Sequence, residues 1–566
     1  MGDSVPGSDP LPSRVAALVH AHFDGLPKRS KPIVRADGTA EWIPMTGIVL
    51  VKGENTPSET LSCVAVTTGA KCLPASQIPN CNGLVLHDCH AEILALRAFN
   101  FWLLSECRAV LAHEERDHPP ENNSRDRPAS PYIWRRQPLK PSDPALPPFE
   151  LYPDVGIYMY CTCAPCGDAS MELVMAAQDD PTPWALPNTT TEPKLETQSE
   201  PPSAGSLDAS NSNPALLDGR GHFSKLGIVR RKPARADAES TKSKSCSDKL
   251  SLRQVTSALS YEASLLVAVT ENAYIRGVVL PEEEISRVGC ARCFGGEGRM
   301  SALNGRGWSI ITTSTSSSGL DGQDCNRHRY EFRPFSILSI PNTQLKALWP
   351  FRKPKASDPD PGEDEGGNKN ETPRPKTKNS KPGNISAIWV RAPTMEHETP
   401  SANAADNGRK NLPVLRGSKT GLFENIINGV KQGYRAASPG VRGASALSRA
   451  NMVGHWRDVL RATCEFPGYH EIAFCSENGL RESRSTGVMS TQRALTYRQF
   501  KKEPELLTPC IKARKDAMRA AKEVLGGWVP NLGDEDWGWG PDSLVDSGNR
   551  PVDAKKGDTD SRKRKR

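Results

Sequence analysis

Two short segments of the chain combine residues that bind metals with a carboxylate that can carry protons. His90 is followed two residues later by Glu92, and Pro165 directly precedes Cys166. Imidazole and thiolate groups are zinc ligands, and a catalytic zinc site leaves one of its four positions to water. Glu92 is too close to His90 to share the metal comfortably, but it is well placed to face the bound water. The two segments therefore predict a metal site that activates water.

The residues alone leave two ligand sets open, because such a site needs three protein ligands. In one, Cys163 and Cys166 form a C-x-x-C pair that binds together with His90. In the other, only Cys166 binds, Cys163 lies on the preceding strand, and a distant cysteine completes the set. Ala169 stands where a cysteine three residues after Cys166 would complete a P-C-x-x-C motif.

Each segment lies at the predicted entry to a helix. Apolar residues near helical spacing predict a helix from 88 to 106, and a strand over 155–161 leads to Cys166 and a second helix over 168–177. Helix N-termini direct N–H groups and positive partial charge outward, which favours thiolate and hydroxide at one point. The other predicted elements are a helix at 11–25, strands at 45–51 and 61–68, and a basic helix at 505–525.

Composition limits the cellular setting of the chain. Its 566 residues include 15 cysteines and carry a net charge of +7. The N-terminus lacks a secretion signal, and no apolar run reaches bilayer-spanning length. We therefore expect an intracellular protein with reduced thiols, located in the nucleus and/or the cytoplasm and not bound to membrane. The terminal run 562–566 fits a nuclear-localisation signal, a phosphate-binding tail or a solvated tail equally well.

Several segments are too polar to build a core. We predict disordered insertions near 112–147, 178–220 and 353–384. The predicted organisation is an N-terminal helical and flexible segment at 1–35, one catalytic domain at 36–532, and a disordered basic tail at 533–566.

A third motif, Ser245-Cys246-Ser247-Asp248-Lys249, follows downstream. It resembles the S-C-S-D-K element of the adenosine deaminases that act on RNA. The segments 88–93 and 165–168 resemble the other two motifs of that family, in the same order, and 68–72 resembles an element before them. The stretches 36–51 and 231–237 resemble the branch that acts on tRNA. The resemblance covers 36–107, 150–176, 224–345 and 385–532.

The resemblance implies a cytidine-deaminase-like α/β fold, in which helices flank a mixed sheet and a helical C-terminal part follows. It implies one catalytic zinc ion held by His90, Cys166 and Cys246, with Glu92 as the proton carrier. The implied reaction is hydrolytic deamination of adenosine to inosine in tRNA, at the adenosine 3′ of the anticodon of alanine tRNA. Two alternatives are an editor of other structured RNA and a non-catalytic, zinc-stabilised RNA-binding protein.

The family also buries inositol hexakisphosphate inside the catalytic domain. A cluster of buried cations needs such an anion, since each unpaired buried charge is costly. The positions that match its ligands are Arg97, Lys249, Tyr497, Lys501, Lys512 and Trp528. Lys71, in the element before the first motif, is expected to contact the substrate. We expect tRNA as the partner and no obligate protein partner.

Overall fold

The structure, a computed structural model, describes most of the chain in separate ranges. These are 9–34, 41–116, 129–136, 146–177, 217–218, 225–232, 239–310, 327–353, 381–394, 421–464, 496–502 and 509–538. Most of the three predicted insertions, the run 562–566 and most of the element at 231–237 lie outside these residues. The predicted domain organisation therefore stays a prediction.

The described residues form nine helices and sixteen strands. The helices are α1 (Leu11–Asp24), α2 (Ala91–Arg116), α3 (Met171–Ala176), α4 (Cys246–Thr256), α5 (Arg287–Phe294), α6 (Asn342–Leu348), α7 (Arg449–Cys464), α8 (Tyr497–Lys502) and α9 (Pro509–Leu525). The strands are β1 (Met45–Lys52), β2 (Thr60–Thr68), β3 (Ala70–Cys72), β4 (Asp88–His90), β5 (Ile133–Arg135), β6 (Phe149–Leu151), β7 (Val155–Cys161), β8 (Leu217–Asp218), β9 (Arg230–Arg231), β10 (Ile275–Pro281), β11 (Gly307–Ser309), β12 (Arg329–Glu331), β13 (Ser336–Ile340), β14 (Ser386–Arg391), β15 (Gly421–Ile427) and β16 (Val430–Lys431).

Eight of these strands form one mixed sheet in the order β13-β10-β7-β1-β2-β14-β15-β16. The β13, β10 and β7 strands are parallel, and every pair from β7 to β16 is antiparallel. β7 is buried along its whole length, as its apolar sequence predicts. The sheet thus brings the end of β7, where the second motif begins, into the interior.

Helices cover both faces of the sheet. The α1 helix packs Val15, Val19 and Phe23 with Trp349 on one face. On the other face, the long α2 helix lies against β1, β2 and β14, and α4 and α9 pack against each other beyond it. The predicted α/β class, a mixed sheet flanked by helices with a helical C-terminal part, is confirmed.

The predicted elements agree with the structure except at their ends. The α2 helix begins at Ala91, because residues 88–90 pair with β3 as a short strand. The predicted helix at 168–177 is a 3₁₀ turn at 168–170 followed by α3. Residues 533–538, assigned to the tail, include the buried Asp534 and Trp537.

None of the described helices has both the length and the apolar character required to cross a bilayer.

Candidate metal centre and the buried charges around it

Three separate elements bring His90, Cys166 and Cys246 to one point. His90 ends β4, Cys166 lies in the turn after β7, and Cys246 begins α4. The His90 Nδ1 atom lies 3.8 Å from Cys166 Sγ and 3.6 Å from Cys246 Sγ. Tetrahedral zinc with ordinary Zn–N and Zn–S bonds places its ligand atoms about 3.5–3.8 Å apart. The spacing and the one-nitrogen, two-sulfur donor set therefore fit zinc.

Hydrogen bonds fix the two cysteine segments to each other. The Ser247 side chain, fully buried, donates to the carbonyl oxygens of Pro165 and Cys166 at 3.1 and 3.0 Å, and it accepts from the Ala169 amide at 3.2 Å. The Ser247 amide donates to the same Cys166 carbonyl at 3.0 Å. One serine on the α4 helix thus orders the turn that carries the other cysteine.

Close packing also explains the sequence around Cys166 and Cys246. Gly167 has φ 109°, and a Cβ atom there would lie 2.4 Å from Ser245 Cβ. Only glycine tolerates both the conformation and the contact. Ser245 caps α4 by accepting from the Asp248 amide at 3.1 Å. The P-C-G-D and S-C-S-D segments are therefore two halves of one packed unit.

Glu92 and Cys163 lie beside the group of three without belonging to it. Glu92 occupies the first turn of α2 and is 3% exposed. Burial raises the pKa of its carboxyl group, which interacts electrostatically with His90 and Cys166. Cys163 follows the end of β7, so it is a loop residue and the predicted strand position is wrong. The described metal-binding group contains His90, Cys166 and Cys246 but not Cys163.

A group of paired charges, formed by Asp88, Lys232 and Lys249, adjoins the metal-binding group, and we call this group the charge relay. Lys232 Nζ donates to Asp88 Oδ2 at 2.9 Å and to Cys246 Sγ at 3.3 Å. Lys249 also forms an ion pair with Asp88, and both lysines approach the same carboxylate oxygen. Asp88 accepts from the His90 amide at 3.0 Å, so the relay contacts two of the three candidate ligands.

Within the charge relay, mutual attraction keeps Asp88 and Lys232 charged although both are buried. Burial alone would raise the pKa of Asp88, but the ammonium groups of Lys232 and Lys249 hold it well below its usual range. Burial likewise disfavours protonated Lys232, yet Asp88 and Cys246 raise its pKa. A hydrogen bond from Cys246 lowers the pKa of the Cys166 thiol, while burial raises the pKa of Cys246.

A second, largely buried cluster is strongly cationic, and we call it the inner basic cluster. Its members are Arg97, Arg253, Arg449, Lys501 and Arg514. Arg97, Arg253 and Lys501 interact electrostatically with Glu262, and Arg449 and Arg514 interact with these cations. Burial lowers the pKa of Arg253 to about 9 and that of Lys501 to about 8. Lys501 Nζ lies 3.5 Å from Glu262 Oε1 and 4.0 Å from the centre of the Tyr261 ring.

Backbone carbonyl groups accept several of the hydrogen bonds that the arginines of this cluster donate. Arg97 donates to the Leu447 carbonyl, and Arg514 donates to the carbonyls of Thr256 and Leu259 at 2.6 and 2.7 Å. The buried Arg514 Nε atom has no hydrogen-bond partner among the described residues. The excess positive charge and this unused donor fit a bound polyanion.

The six predicted anion ligands lie in four places. Arg97, Lys501 and Tyr497 lie together, and Tyr497 donates to Glu262 Oε1 at 3.4 Å. Lys249 lies on the charge relay. Lys512 is exposed on α9. Two residues correspond to about 200° of helix rotation, so Arg514 faces the interior and Lys512 faces away from it. Lys512 as an anion ligand stays a prediction.

Trp528 and Lys71 lie outside the inner basic cluster. The half-buried Trp528 ring lies 5.7 Å from Lys244 Nζ and 5.6 Å from Lys522 Nζ, beside a surface pocket. Lys71 is exposed on β3, where it pairs with Cys89, and its neighbour Ala70 pairs with His90. Lys71 therefore lies on the hairpin that carries a candidate ligand.

Sequence reasoning missed Asp88, Lys232, Arg253, Arg449 and Arg514. Asp88 belongs to the first motif and Lys232 to the segment 231–237, but the sequence pattern assigns neither residue a role. Arg253 lies seven residues, or two helix turns, after Cys246, which places both residues on the same side of α4. Helical spacing could have identified it as an inward-facing arginine.

Comparison with known proteins shows what this part of the chain is similar to. Residues 65–302, about two fifths of the chain, match the model of the adenosine-deaminase (editase) domain, and this region includes all three candidate ligands.

Two fungal relatives carry the name tRNA-specific adenosine deaminase 1. The protein of Schizosaccharomyces pombe is 37% identical over 291 residues, which cover 51% of this chain and 62% of the relative. That of Saccharomyces cerevisiae is 28% identical over 286 residues, covering 50% and 61%. Double-stranded RNA-specific editase B2 of Mus musculus is 32% identical over 125 residues, covering 22% and 14%. The chain thus matches about three fifths of the length of the fungal relatives.

Proposed function

We propose that the protein is a zinc-dependent hydrolase that deaminates adenosine to inosine in tRNA. The observation that carries the proposal is the convergence of His90, Cys166 and Cys246 beside the buried Glu92, within a matched editase domain. A purely structural zinc site needs no carboxylate next to its ligands. The fungal relatives named for tRNA favour tRNA over other RNA as the substrate.

The side chains divide the work between holding the metal and moving protons. His90, Cys166 and Cys246 would hold zinc, which lowers the pKa of a water molecule to about 7 when it is bound. Water oxygen forms a bond to C6 of adenine, and the bond from C6 to the amino nitrogen breaks to release ammonia. Glu92 accepts one proton from water and delivers it to the ring nitrogen; it then carries the second proton, from the new hydroxyl group on C6, to the leaving amino group as the C6 carbonyl forms.

The raised pKa of Glu92 suits this role. Burial favours its neutral form. Because a proton carrier works best when its pKa is close to the working pH, a shift toward neutrality helps the carboxyl group both accept and donate. Water exclusion around Glu92 also strengthens its interaction with the developing charge of the substrate.

We place the reacting adenosine immediately 3′ of the anticodon of alanine tRNA. A base in that loop is unpaired, so turning it into a pocket costs less than flipping a base from a duplex. Lys71, exposed on the β3–β4 hairpin beside His90, would contact an adjacent phosphate. Neither proposal requires a partner other than tRNA.

The anion proposed for the inner basic cluster is inositol hexakisphosphate. Five cations and one carboxylate lie there, and Arg514 Nε is a donor without a hydrogen-bond partner among the described residues. Arg97, Lys501, Tyr497 and Arg514 would hold its phosphates. Lys249 would connect this anion to the metal site, since it pairs with Asp88, which also binds Lys232. The anion is therefore a structural cofactor in this proposal and takes no part in proton transfer.

Replacing Glu92 by Gln tests the reaction. We expect Glu92→Gln to retain zinc and melting temperature while the single-turnover rate on alanine tRNA falls at least about a hundredfold, because the amide cannot carry the proton. The rate is measured by sequencing for A-to-G changes, and zinc by mass spectrometry.

Glu106→Gln is the matched control for that experiment. Glu106 lies on the same α2 helix, is equally buried and bonds to Ser130 and Thr394 away from the ligands. The control should deaminate at the wild-type rate. A normal rate in Glu92→Gln would refute the assigned role, whereas wild-type activity on duplex RNA without activity on tRNA would favour the editing alternative.

A further inference from the structure

A basic surface segment runs from the last residue of β16 toward α7, and we call residues 431–443 the basic loop. It contains Lys431, Arg435 and Arg442, and no acidic residue occurs between Glu424 and Asp458. Lys431 lies 3.4 Å from Glu424. Arg435 and Arg442 are exposed, and neither has an ion-pair or hydrogen-bond partner among the described residues. The loop thus presents two unneutralised guanidinium groups.

An exposed aromatic ring lies among these charges. Tyr434 is 49% exposed and Val441 is 38% exposed, although large apolar side chains are mostly buried elsewhere in the described chain. A Cβ atom on Gly443 would lie 2.7 Å from Tyr434 Cγ, so the ring rests against the glycine backbone. This contact orders the ring at the surface before any ligand arrives, which reduces the entropy cost of stacking on it.

Both ends of the basic loop are anchored. Before the loop, the Gly429 carbonyl accepts from the Leu86 amide at 2.8 Å, and Val430 is buried with Leu73 and Val85. After the loop, Ser445 Oγ and the Ala446 amide donate to the buried Glu424 carboxylate. The loop is therefore a fixed surface and not a freely moving one.

These anchors relate the basic loop to the metal centre. Leu73, Leu86 and the residues between them connect β3, which carries Lys71, to β4, which ends at His90. A ligand on the basic loop therefore lies beside the hairpin that presents Lys71 and the candidate metal ligand.

We propose that the basic loop is a docking surface for the tRNA substrate, in which Arg435 and Arg442 bind backbone phosphates and Tyr434 stacks on an unpaired base. This inference rests on the proposed function, because it takes tRNA as the substrate. Cations interleaved with an aromatic ring match the recognition of single-stranded RNA segments, where guanidinium groups bind phosphates and bases stack on rings. Protein interfaces are also enriched in Tyr and Arg, so a protein partner is the alternative occupant that the experiment must exclude.

Charge removal tests the phosphate contacts. For Arg435→Ala/Arg442→Ala, we expect the Kd for alanine tRNA at 0.15 M salt to rise about tenfold. The slope of log Kd against log salt should fall by about 1.4, which corresponds to two lost contacts with a single strand. Zinc content, melting temperature and kcat at saturating tRNA should not change. Arg435→Lys/Arg442→Lys keeps the charges and should recover most of the slope.

Two further variants make the test specific. Lys346→Ala/Lys353→Ala removes the same charge after β13, the opposite edge of the sheet, and both lysines are exposed. Tyr434→Ala should weaken binding about fivefold or more without changing the salt slope, because stacking involves no counterion release.

The possible failures are distinguishable. If the loop variants bind tRNA with the affinity and slope of the Lys346→Ala/Lys353→Ala control, the docking surface is refuted and a protein partner becomes the better reading of the loop. If the wild-type protein neither binds nor deaminates tRNA, the proposed function itself fails.

Discussion

The metal centre and the inner basic cluster solve the problem of buried charge in opposite ways. At the metal centre, each charged side chain has a partner of opposite charge: Asp88 lies between Lys232 and Lys249, and Lys232 also contacts Cys246. The inner basic cluster holds five cations but one carboxylate, that of Glu262, and Asp534 pairs with Arg449 from outside. The first site is preorganised by the chain itself, whereas the second retains an excess of positive charge.

This difference suggests when each ligand matters. Removing one partner of a buried charged pair leaves the other unpaired, which costs about 3–5 kcal/mol. The metal centre keeps its pairs without its ion, so we expect the empty site to stay folded. The inner basic cluster depends on an external anion to offset its repulsion, so its ligand contributes directly to folding stability.

Loss of a metal ligand should produce the largest effect. We expect Cys246→Ala to lose zinc and all measurable deamination, because two protein ligands are too few for a stable site. Mass spectrometry of the purified protein and sequencing of treated tRNA measure the two effects. The protein should remain folded if the metal centre is preorganised as described, which circular dichroism would test.

Cys163→Ala is the control for this prediction. Cys163 lies three residues before Cys166 but outside the described metal-binding group. Its replacement should leave zinc content unchanged. The reverse outcome, zinc lost from Cys163→Ala and kept in Cys246→Ala, would restore the C-x-x-C ligand set.

A smaller effect should follow from loosening the unit that carries the cysteines. Ser247→Ala removes the side-chain bonds to Pro165, Cys166 and Ala169 but leaves every ligand in place. Loss of such a supporting contact typically weakens metal binding about 10–100-fold. Competition with a chelator measures zinc affinity, and the absorption spectrum of the cobalt-substituted protein reports the geometry around the cysteines.

Ser251→Ala separates positioning from general stability. Ser251 lies one turn further along α4, is equally buried, and bonds to the carbonyls of Ser247 and Cys293. Its loss should lower the melting temperature by a similar amount without changing zinc affinity. Equal zinc affinities in the two variants would show that Ser247 has no special role in positioning the ligands.

The sequence predicts the metal centre better than the inner basic cluster, for a physical reason. The metal ligands lie in compact motifs, where glycine, serine and proline at fixed spacing determine the local backbone, as Gly167 and Ser245 illustrate. The basic cluster gathers side chains from α2, α4, α7, α8 and α9, and its membership depends on helix phase. On α9, Lys512 is exposed and Arg514, two residues later, is buried. The basic sequence of this helix does not by itself show which of the two cations faces the cluster.

The ends of elements are also difficult to predict from sequence. His90 directly precedes α2, so the predicted position at a helix entry is confirmed, but the helix begins at Ala91 because residues 88–90 pair with β3. Strand pairing depends on distant residues, which periodicity within a single segment does not reveal. The sheet order likewise required contacts between β2 and β14, more than 300 residues apart.

The smallest predicted effect is a pH dependence of stability in the anion-free protein. Burial lowers the pKa of Lys501 to about 8, whereas a lysine in the unfolded chain titrates near 10.4. Between these values the unfolded chain holds a proton that the folded protein has released, so this lysine makes stability rise with pH. Below about pH 8 the lysine is protonated in both the folded and the unfolded protein, so the burial of its charge lowers the free energy of unfolding by its full amount.

Comparison of the wild type with Lys501→Met isolates this contribution from the titration of thiols and other groups. Protein from a host that lacks inositol hexakisphosphate, verified by mass spectrometry, would be melted between pH 7 and 10. The difference in melting temperature, variant minus wild type, should be largest near pH 7 and shrink as pH rises above 8. Added inositol hexakisphosphate should reverse the sign near pH 7, because the anion favours the charged lysine. A difference that changes with neither pH nor anion would remove Lys501 from the anion site, and the inner basic cluster would then be balanced as fully as the metal centre.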